Sequence, residues 1–482
     1  MNFRGVFFLL GRLLLALGAA LLVPGGVALY LGSADAKAFF VSAALVGVLG
    51  IVVQRVFRGG LHAPFRRHEA FMLVSATWIM ASLVGALPYV FIKGGGFIVD
   101  GLFESASGFT TTGASILSDV ESETQALLLW RSLTQWLGGM GIIVLGIAIL
   151  PKLAIGGMEL LGAEAPGPVT EKLTPRIAQT AKALWGIYAL LTGAQAGALM
   201  LLGMTPLNAV NHALTTMATG GFSTSNASIG AFGPAIEMVV TVFMVLAGVN
   251  FALHFRLLRG KPLVMLRDAE FRFYIGLIVM ATSLLAADLL INDDVGGLGN
   301  ALRLGVFQAT AIITTTGFAT ANFDAWPDFS RTLLFLLMFV GGCAGSTGGS
   351  VKVVRILIVV KRLGQELKRI VQPHAVFPVR VGNRAIPEDI VNRVTTFFLL
   401  FIVLFLAGGL LLEASGLDPV TAFSASATCL SNVGPGFANV GPSNTMSELP
   451  VVSKLILVSL MIIGRLELYT LLVSLYLSRK VF

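Results

Sequence analysis

Long apolar runs separated by short polar stretches dominate this chain. Such runs occupy residues 7–31, 72–92, 127–150, 274–290, 397–412 and 455–477. A helix of about 20 apolar residues crosses a hydrocarbon layer about 30 Å thick, so each run predicts a membrane-spanning helix. A second run, 38–53, follows the first at once. The pair is too long for a cleaved leader and reads as a retained N-terminal hairpin. Between later runs lie semi-polar stretches of about ten residues, too short to cross and suited to re-entrant helices.

Four of these stretches carry the same punctuation. The first runs from Phe103 to Gly113 and ends Thr110-Thr111-Thr112-Gly113; the second runs from Val210 and ends Ala218-Thr219-Gly220. The third runs from Phe307 and ends Thr314-Thr315-Thr316-Gly317; the fourth and most diverged runs from Ser424 and ends Asn432-Val433-Gly434. Their glycines recur at roughly 100 residues, a period suited to whole supersecondary units rather than a solenoid. Each unit is then helix, half-helix with loop, helix. Non-helical backbone at membrane depth is tolerated only inside protein or along a watery cavity. Four such units about one axis enclose a pore.

Residue type points to the cargo. Glycine lets a loop turn successive carbonyls toward an axis, and rings of carbonyls replace the hydration shell of a monovalent cation. Short helices ending at that axis add partial negative charge. Divalent pores call for rings of acids. Aligned on their glycines, the four stretches set Glu104 against Asn211, Gln308 and Ala425, a single acid. Close helix packing explains any one Thr-Gly pair, but not four at matching places.

Composition agrees. Of 482 residues, 56% are hydrophobic and only 12% charged, about half the charge of a soluble domain. A globular enzyme is excluded, and no His-Glu-x-x-His, Gly-x-Ser-x-Gly or paired membrane aspartates point to an intramembrane one. The net charge of +8 is not a nucleic-acid footprint, because basic residues cluster in alternate loops: Arg55 to Arg67, Lys152 to Lys182, Arg256 to Arg272, Lys352 to Arg384, and Arg479 with Lys480. The intervening loops are acidic: Asp119, Glu121 and Glu123; Asp293 and Asp294; Asp324 and Asp328; Glu413, Asp418 and Glu448. By the positive-inside rule both termini are cytoplasmic. Cys343 and Cys429 form no metal or disulfide pattern.

Two further features stand out. Gly341-Gly342-Cys343-Ala344-Gly345-Ser346-Thr347-Gly348-Gly349-Ser350 should break its helix, since each glycine costs about 1 kcal/mol against alanine. It lacks the Gly-Lys-Ser/Thr ending and the preceding strand of a nucleotide loop. Arg465 sits inside the last run, where a charge must face water or a partner. Glu467 is two residues away and on a different helix face. His212 reads as a hydrogen-bonding residue at the start of its short helix, and Trp130, Trp136 and Trp185 as interfacial or interhelical.

The ordered set Phe-Glu-Ser…Thr-Thr-Thr-Gly, Val-Asn-His-Ala…Ala-Thr-Gly-Gly-Phe-Ser, Phe-Gln-Ala…Thr-Thr-Thr-Gly-Phe and Ser-Asn-Val-Gly-Pro-Gly resembles the Trk/Ktr/HKT superfamily over nearly the whole chain. The extra hairpin is similar to the Trk branch. The resemblance implies an all-α polytopic membrane protein with four covalently linked helix–re-entrant loop–helix repeats around a pseudo-fourfold pore, plus that hairpin. The expected boundaries are 1–65 for the hairpin, then 66–155, 156–262, 263–372 and 373–482 for the repeats. It implies a potassium filter at Thr111, Thr112, Gly113, Thr219, Gly220, Thr315, Thr316, Gly317, Asn432, Val433 and Gly434. Glycine at Gly113 goes with potassium, serine there with sodium in plant relatives, while Ala218 and Val433 depart from a symmetric filter. It implies that Gly341 to Gly349 form an intramembrane gate beneath the filter, and Arg465 is expected to project into the path there. It further implies a homodimer in the bacterial inner membrane among its lipids. A separate cytosolic nucleotide-binding subunit would dock on Arg256–Arg272 and Lys352–Arg384. The competing expectation is a symporter working by alternating access.

Overall fold

The structure, a computed structural model, describes residues 3–58, 67–148, 173–292, 295–375 and 377–466. Lys152, Lys172, Asp293, Asp294, Glu467, Arg479 and Lys480 lie outside the described residues.

Helices α1 (Phe3–Tyr30) and α2 (Ala36–Val56) form the N-terminal hairpin. Small residues let their backbones approach: a Cβ added to Gly50 would stand 3.0 Å from the Gly11 carbonyl oxygen and 3.1 Å from Leu15. Small residues at such crossings are how membrane helices pack without a hydrophobic driving force. Leu14, Leu17 and Phe39 then join Trp78 and Trp130 in one apolar cluster, which seats the hairpin on the first repeat.

The first repeat comprises α3 (Arg67–Gly85), α4 (Leu87–Lys93), the short helix α5 (Ile98–Phe109) and α6 (Gln125–Ala148). The second has α7 (Leu173–Leu201), the short α8 (Pro206–Met217), then α9 (Pro234–Ala247) and α10 (Phe251–Leu258). A small helix, α11 (Pro262–Arg267), leads to the third: α12 (Ala269–Ile291), the short α13 (Leu298–Ile313), α14 (Asp328–Leu337) and α15 (Val353–Val371). A two-residue-per-strand hairpin, β1 (Arg380–Val381) with β2 (Arg384–Ala385), precedes the fourth. That last unit is α16 (Glu388–Ala414), the short α17 (Pro419–Ser431) and α18 (Val451–Arg465).

The short helices have 12, 12, 16 and 13 residues. At 1.5 Å per residue none crosses a bilayer. Six described helices are long and apolar enough to do so; α9 and α10, bent by 99° against each other, pass the same test only when taken together. The bend follows Gly248, where Asn250 starts the new helix by accepting the Ala252 N–H at 2.9 Å. His212 lies well inside α8, not at its start as expected, because the helix begins at Pro206.

Polarity is distributed inside out. Leu29, Val48, Leu201 and Val279 are more than half exposed, while the serines and threonines of α5, α8, α13 and α17 are buried. That is the arrangement for a chain whose outer solvent is lipid. Each long helix α7, α12 and α16 packs on its own short helix. The helices after the turns pack on their own short helix and also reach across to the next: α6 packs on α8, α9 on α13, and α18 on α5. These contacts link the short helices of the first and second, second and third, and fourth and first repeats.

Gly50→Leu should force the hairpin apart, since overpacking costs about 1–3 kcal/mol. The expected outcome is a lower thermal midpoint in detergent, with Gly26→Leu, which meets nothing within 4 Å, unchanged.

Candidate functional site

Each short helix ends in the same way. The residues Thr111, Thr219, Thr315 and Asn432 take left-handed φ values of 54°, 53°, 57° and 55°. Two backbone bonds enforce this in every copy. In the first, Thr111 N–H donates to Gly108 O and Thr112 N–H to Ser107 O, both at 2.9 Å. The equivalents are Thr219 to Thr216 with Gly220 to Thr215, Thr315 to Ile312 with Thr316 to Ala311, and Asn432 to Cys429 with Val433 to Thr428. This is the Schellman closure of a helix C-terminus, which usually places glycine or asparagine at the left-handed position. Asn432 conforms; three β-branched threonines do not, and such strain is characteristic of functional sites.

Two residues on, Gly113, Gly221, Gly317 and Gly434 have φ of 82°, 77°, 76° and 109°. The hydrogen bonds and these dihedrals together correct the expected register in the second repeat. Gly221, not Gly220, is the counterpart of Gly113, and Gly220 matches Thr112, Thr316 and Val433. The counterpart of Glu104 is accordingly His212 rather than Asn211. Gly220 is glycine for a different reason: a Cβ there would strike the carboxamide of Gln135.

The four turns form one ring. A Cβ on Gly113 would collide with Gly220 O, one on Gly221 with Thr316 O, one on Gly317 with Val433 O, and one on Gly434 with Thr112 O. The circuit passes from first to second to third to fourth repeat and returns to the first. Backbone therefore meets backbone all the way round, and no side chain separates neighbouring turns at this level. All four glycines line a cavity on the side of the acidic loop, together with Ser115, Asn226 and Asn444. At the deeper, left-handed level, Thr111 Oγ1 and Asn432 Oδ1 are buried without a hydrogen-bond partner among the described residues.

Behind the ring, each short helix props the segment that follows its own turn. The Glu104 carboxylate accepts from Ser115 Oγ at 3.0 Å and Ile116 N–H at 3.0 Å. His212 Nε2 meets Ser223 Oγ at 3.0 Å, and Gln308 Nε2 donates to Phe318 O at 3.4 Å. In the fourth copy Ala425 has no such group, and Ser424 Oγ accepts Phe437 N–H at 2.6 Å. Glu104 also forms an ion pair with Arg131 at 2.7 Å, their side chains 0% and 2% exposed. The four repeated motifs do not mark Arg131 and Gln135; their signal in the sequence is two polar residues one helical turn apart inside an apolar run.

Beneath the ring, the glycine-rich segment breaks its helix as expected: α14 stops at Leu337 and α15 starts at Val353. Gly349 N–H donates to Thr315 Oγ1 at 2.7 Å, and Thr347 Oγ1 to Met217 O at 3.0 Å. Gly348 lies against Thr314 O and Gly349 against Ser431 O. Gly341 N–H donates to Val351 O and Cys343 N–H to Gly248 O, both at 2.8 Å. Gly342 O accepts from Val353 N–H and Gly345 O from Phe251 N–H, while Ser346 Oγ donates to Cys343 O. One Glu270 oxygen accepts both Ala344 N–H at 2.6 Å and Val354 N–H at 3.2 Å, tying the middle of the loop to the first turn of α15. Arg465, 1% exposed, donates to Thr347 O at 2.9 Å and to Gly138 O at 3.2 Å. Lys352 Nζ donates to Gly348 O. Lys352 and Arg355 are buried, so neither belongs to an exposed basic loop; Arg355 stacks over Phe397 at 4.2 Å.

Four re-entrant units closed into one ring within a shell of lipid-facing helices define an all-α polytopic membrane protein with a pseudo-fourfold pore. Known proteins agree. The sequence profile of the TrkH family, described as a cation transport protein, matches residues 36–479. The Trk system potassium uptake proteins TrkH of Escherichia coli K12 and Salmonella typhimurium are 42% and 41% identical, with 98% of each chain covered. The crystal structure of the potassium transporter TrkH from Vibrio parahaemolyticus superposes with a TM-score of 0.90 at 38% identity, covering 98% of both chains. The chain belongs to the TrkH family of cation transport proteins.

Glu104→Ala should destabilise the fold by about 3–5 kcal/mol, the scale for leaving a buried charge unpaired. Chemical denaturation of the purified chain checks this, with Glu448→Ala at an exposed loop position as the neutral comparison.

Proposed function

We propose that this chain takes potassium into the cell by letting dehydrated ions pass through the ring of turns. The observation that carries the reading is the backbone-to-backbone closure of Gly113, Gly221, Gly317 and Gly434. At such a level main-chain oxygens are the available ligands, as in carbonyl filters for monovalent cations. The filter comprises Thr111, Thr112 and Gly113; Thr219, Gly220 and Gly221; Thr315, Thr316 and Gly317; and Asn432, Val433 and Gly434. Relatives at about 40% identity bear the name potassium uptake protein, and glycine at Gly113 supports the same cargo.

The segment Gly341–Gly349 is the gate. It sits under three of the four turns, carries almost no side-chain bulk, and is tied down by a few exchangeable hydrogen bonds. Arg465 and Lys352 place positive charge against its carbonyls, raising an electrostatic barrier to a cation directly below the ring. A single fourfold ring supports channel-like passage over alternating access, which a twofold arrangement would serve. Family likeness supports a homodimer in the bacterial inner membrane with cytoplasmic termini. It also supports regulation by a cytosolic nucleotide-binding subunit that docks on the exposed basic residues between Arg256 and Arg272 and between Lys361 and Arg384.

Growth of a potassium-uptake-deficient bacterium at low potassium, with the regulatory partner supplied, tests the assignment. The wild-type chain should restore growth and Gly113→Ser should admit sodium; failure of the wild type contradicts potassium uptake. Arg465→Ala should raise cation flux into vesicles, and an unchanged flux removes Arg465 from the gate.

A further inference from the structure

The second filter strand is held differently from the other three. Gln135 on α6 donates from Nε2 to Gly220 O at 2.7 Å and accepts Phe222 N–H at Oε1 at 3.1 Å. One helical turn earlier, Arg131 Nη1 donates to Ser223 O at 3.1 Å, and its guanidinium lies 4.1 Å from the centre of the Phe222 ring. Both side chains come from the first repeat, yet they grip the strand of the second. Both are buried, at 0% and 2% exposure. Among the described residues the corresponding carbonyls of Thr112, Thr316 and Val433 accept no hydrogen bond.

We propose that Gln135 and Arg131 form a positioning clamp that sets the ion selectivity of the pore by fixing the second strand. The inference rests on the filter reading above. Carbonyl filters discriminate by how many dipoles surround the ion and how far they can close upon it. Potassium is the larger ion, so a strand held at its proper distance favours it, and a strand free to move inward admits sodium. The clamp acts on both neighbours of Gly221, so it governs the ring glycine without touching the ion. It also accounts for glycine at Gly220, where the other strands have Thr, Thr and Val: the missing side chain makes room for the Gln135 carboxamide.

The test measures sodium and potassium flux through the full-length chain in phosphatidylethanolamine–phosphatidylglycerol vesicles. Gln135→Leu keeps the bulk and removes both hydrogen bonds; the sodium-to-potassium flux ratio should rise by roughly fivefold, the scale of one buried hydrogen bond. Gly220→Ala displaces the carboxamide from the strand side and should move the ratio in the same direction. It decides the matter if Gln135→Leu fails to fold. Gln135→Glu retains an acceptor for Phe222 N–H but not the donor to Gly220 O, and should fall between. A structural role alone would lower the amount of folded protein and leave the ratio of the surviving population unchanged; that result overturns the clamp. Gly113→Ser serves as the control. If it shifts the ratio and the clamp variants do not, the clamp is wrong and the filter stands; if none shifts it, the filter reading fails as well.

Discussion

A membrane interior offers no water to satisfy peptide groups, and that constraint shapes everything around the ring. Four segments leave helical geometry at membrane depth, and each does so through the same pair of left-handed residues flanking one ordinary residue. The first left-handed residue ends its helix with two backbone hydrogen bonds, so the turn is capped before it enters the path. The second is glycine because the next repeat's carbonyl lies where a Cβ would stand. Three of the turns hold threonine in a left-handed conformation at a cost of about 1–3 kcal/mol each. That conformation persists because neighbours on every side determine it.

The outer structure serves this closure. Helices α6, α9 and α18 each support the short helix of the next repeat, so a turn depends on its predecessor as well as its own unit. Between the third and fourth repeats the support comes instead from the glycine-rich segment, which lies against Ser431 and the Asn432 turn. One element thus lies beneath the ring and touches the second, third and fourth turns or their short helices. Charge is arranged in the same sense. The buried acid Glu104 is neutralised behind the ring by Arg131, while Arg465 and Lys352 stand below.

Much of this was legible in the sequence, because hydrophobic period and helix-breaking residues are local signals. Thr-Thr-Thr-Gly twice over, with two weaker copies, located the four turns, and five glycines between Gly341 and Gly349 located the break. In the second turn the sequence places the ring glycine one residue early. Its Gly220-Gly221 pair offers two candidates, and the residue that distinguishes them, Gln135, lies 85 positions away. Lys352 looked like one more cytoplasmic charge beside Arg355; only folding turns it back onto the loop carbonyl. The Glu104–Arg131 pair was equally silent, since nothing in either run shows that residues 27 apart meet. Local pattern revealed where the chain departs from helix, and contacts between repeats decided what those departures do.

The central claim is that one ion site lies where the four turns meet. Anomalous diffraction from crystals grown in rubidium measures it most directly. The account predicts a peak on the pseudo-fourfold axis, within coordination distance of main-chain oxygens from all four turns. Rubidium bound only elsewhere, or held at that level by side chains alone, would contradict it.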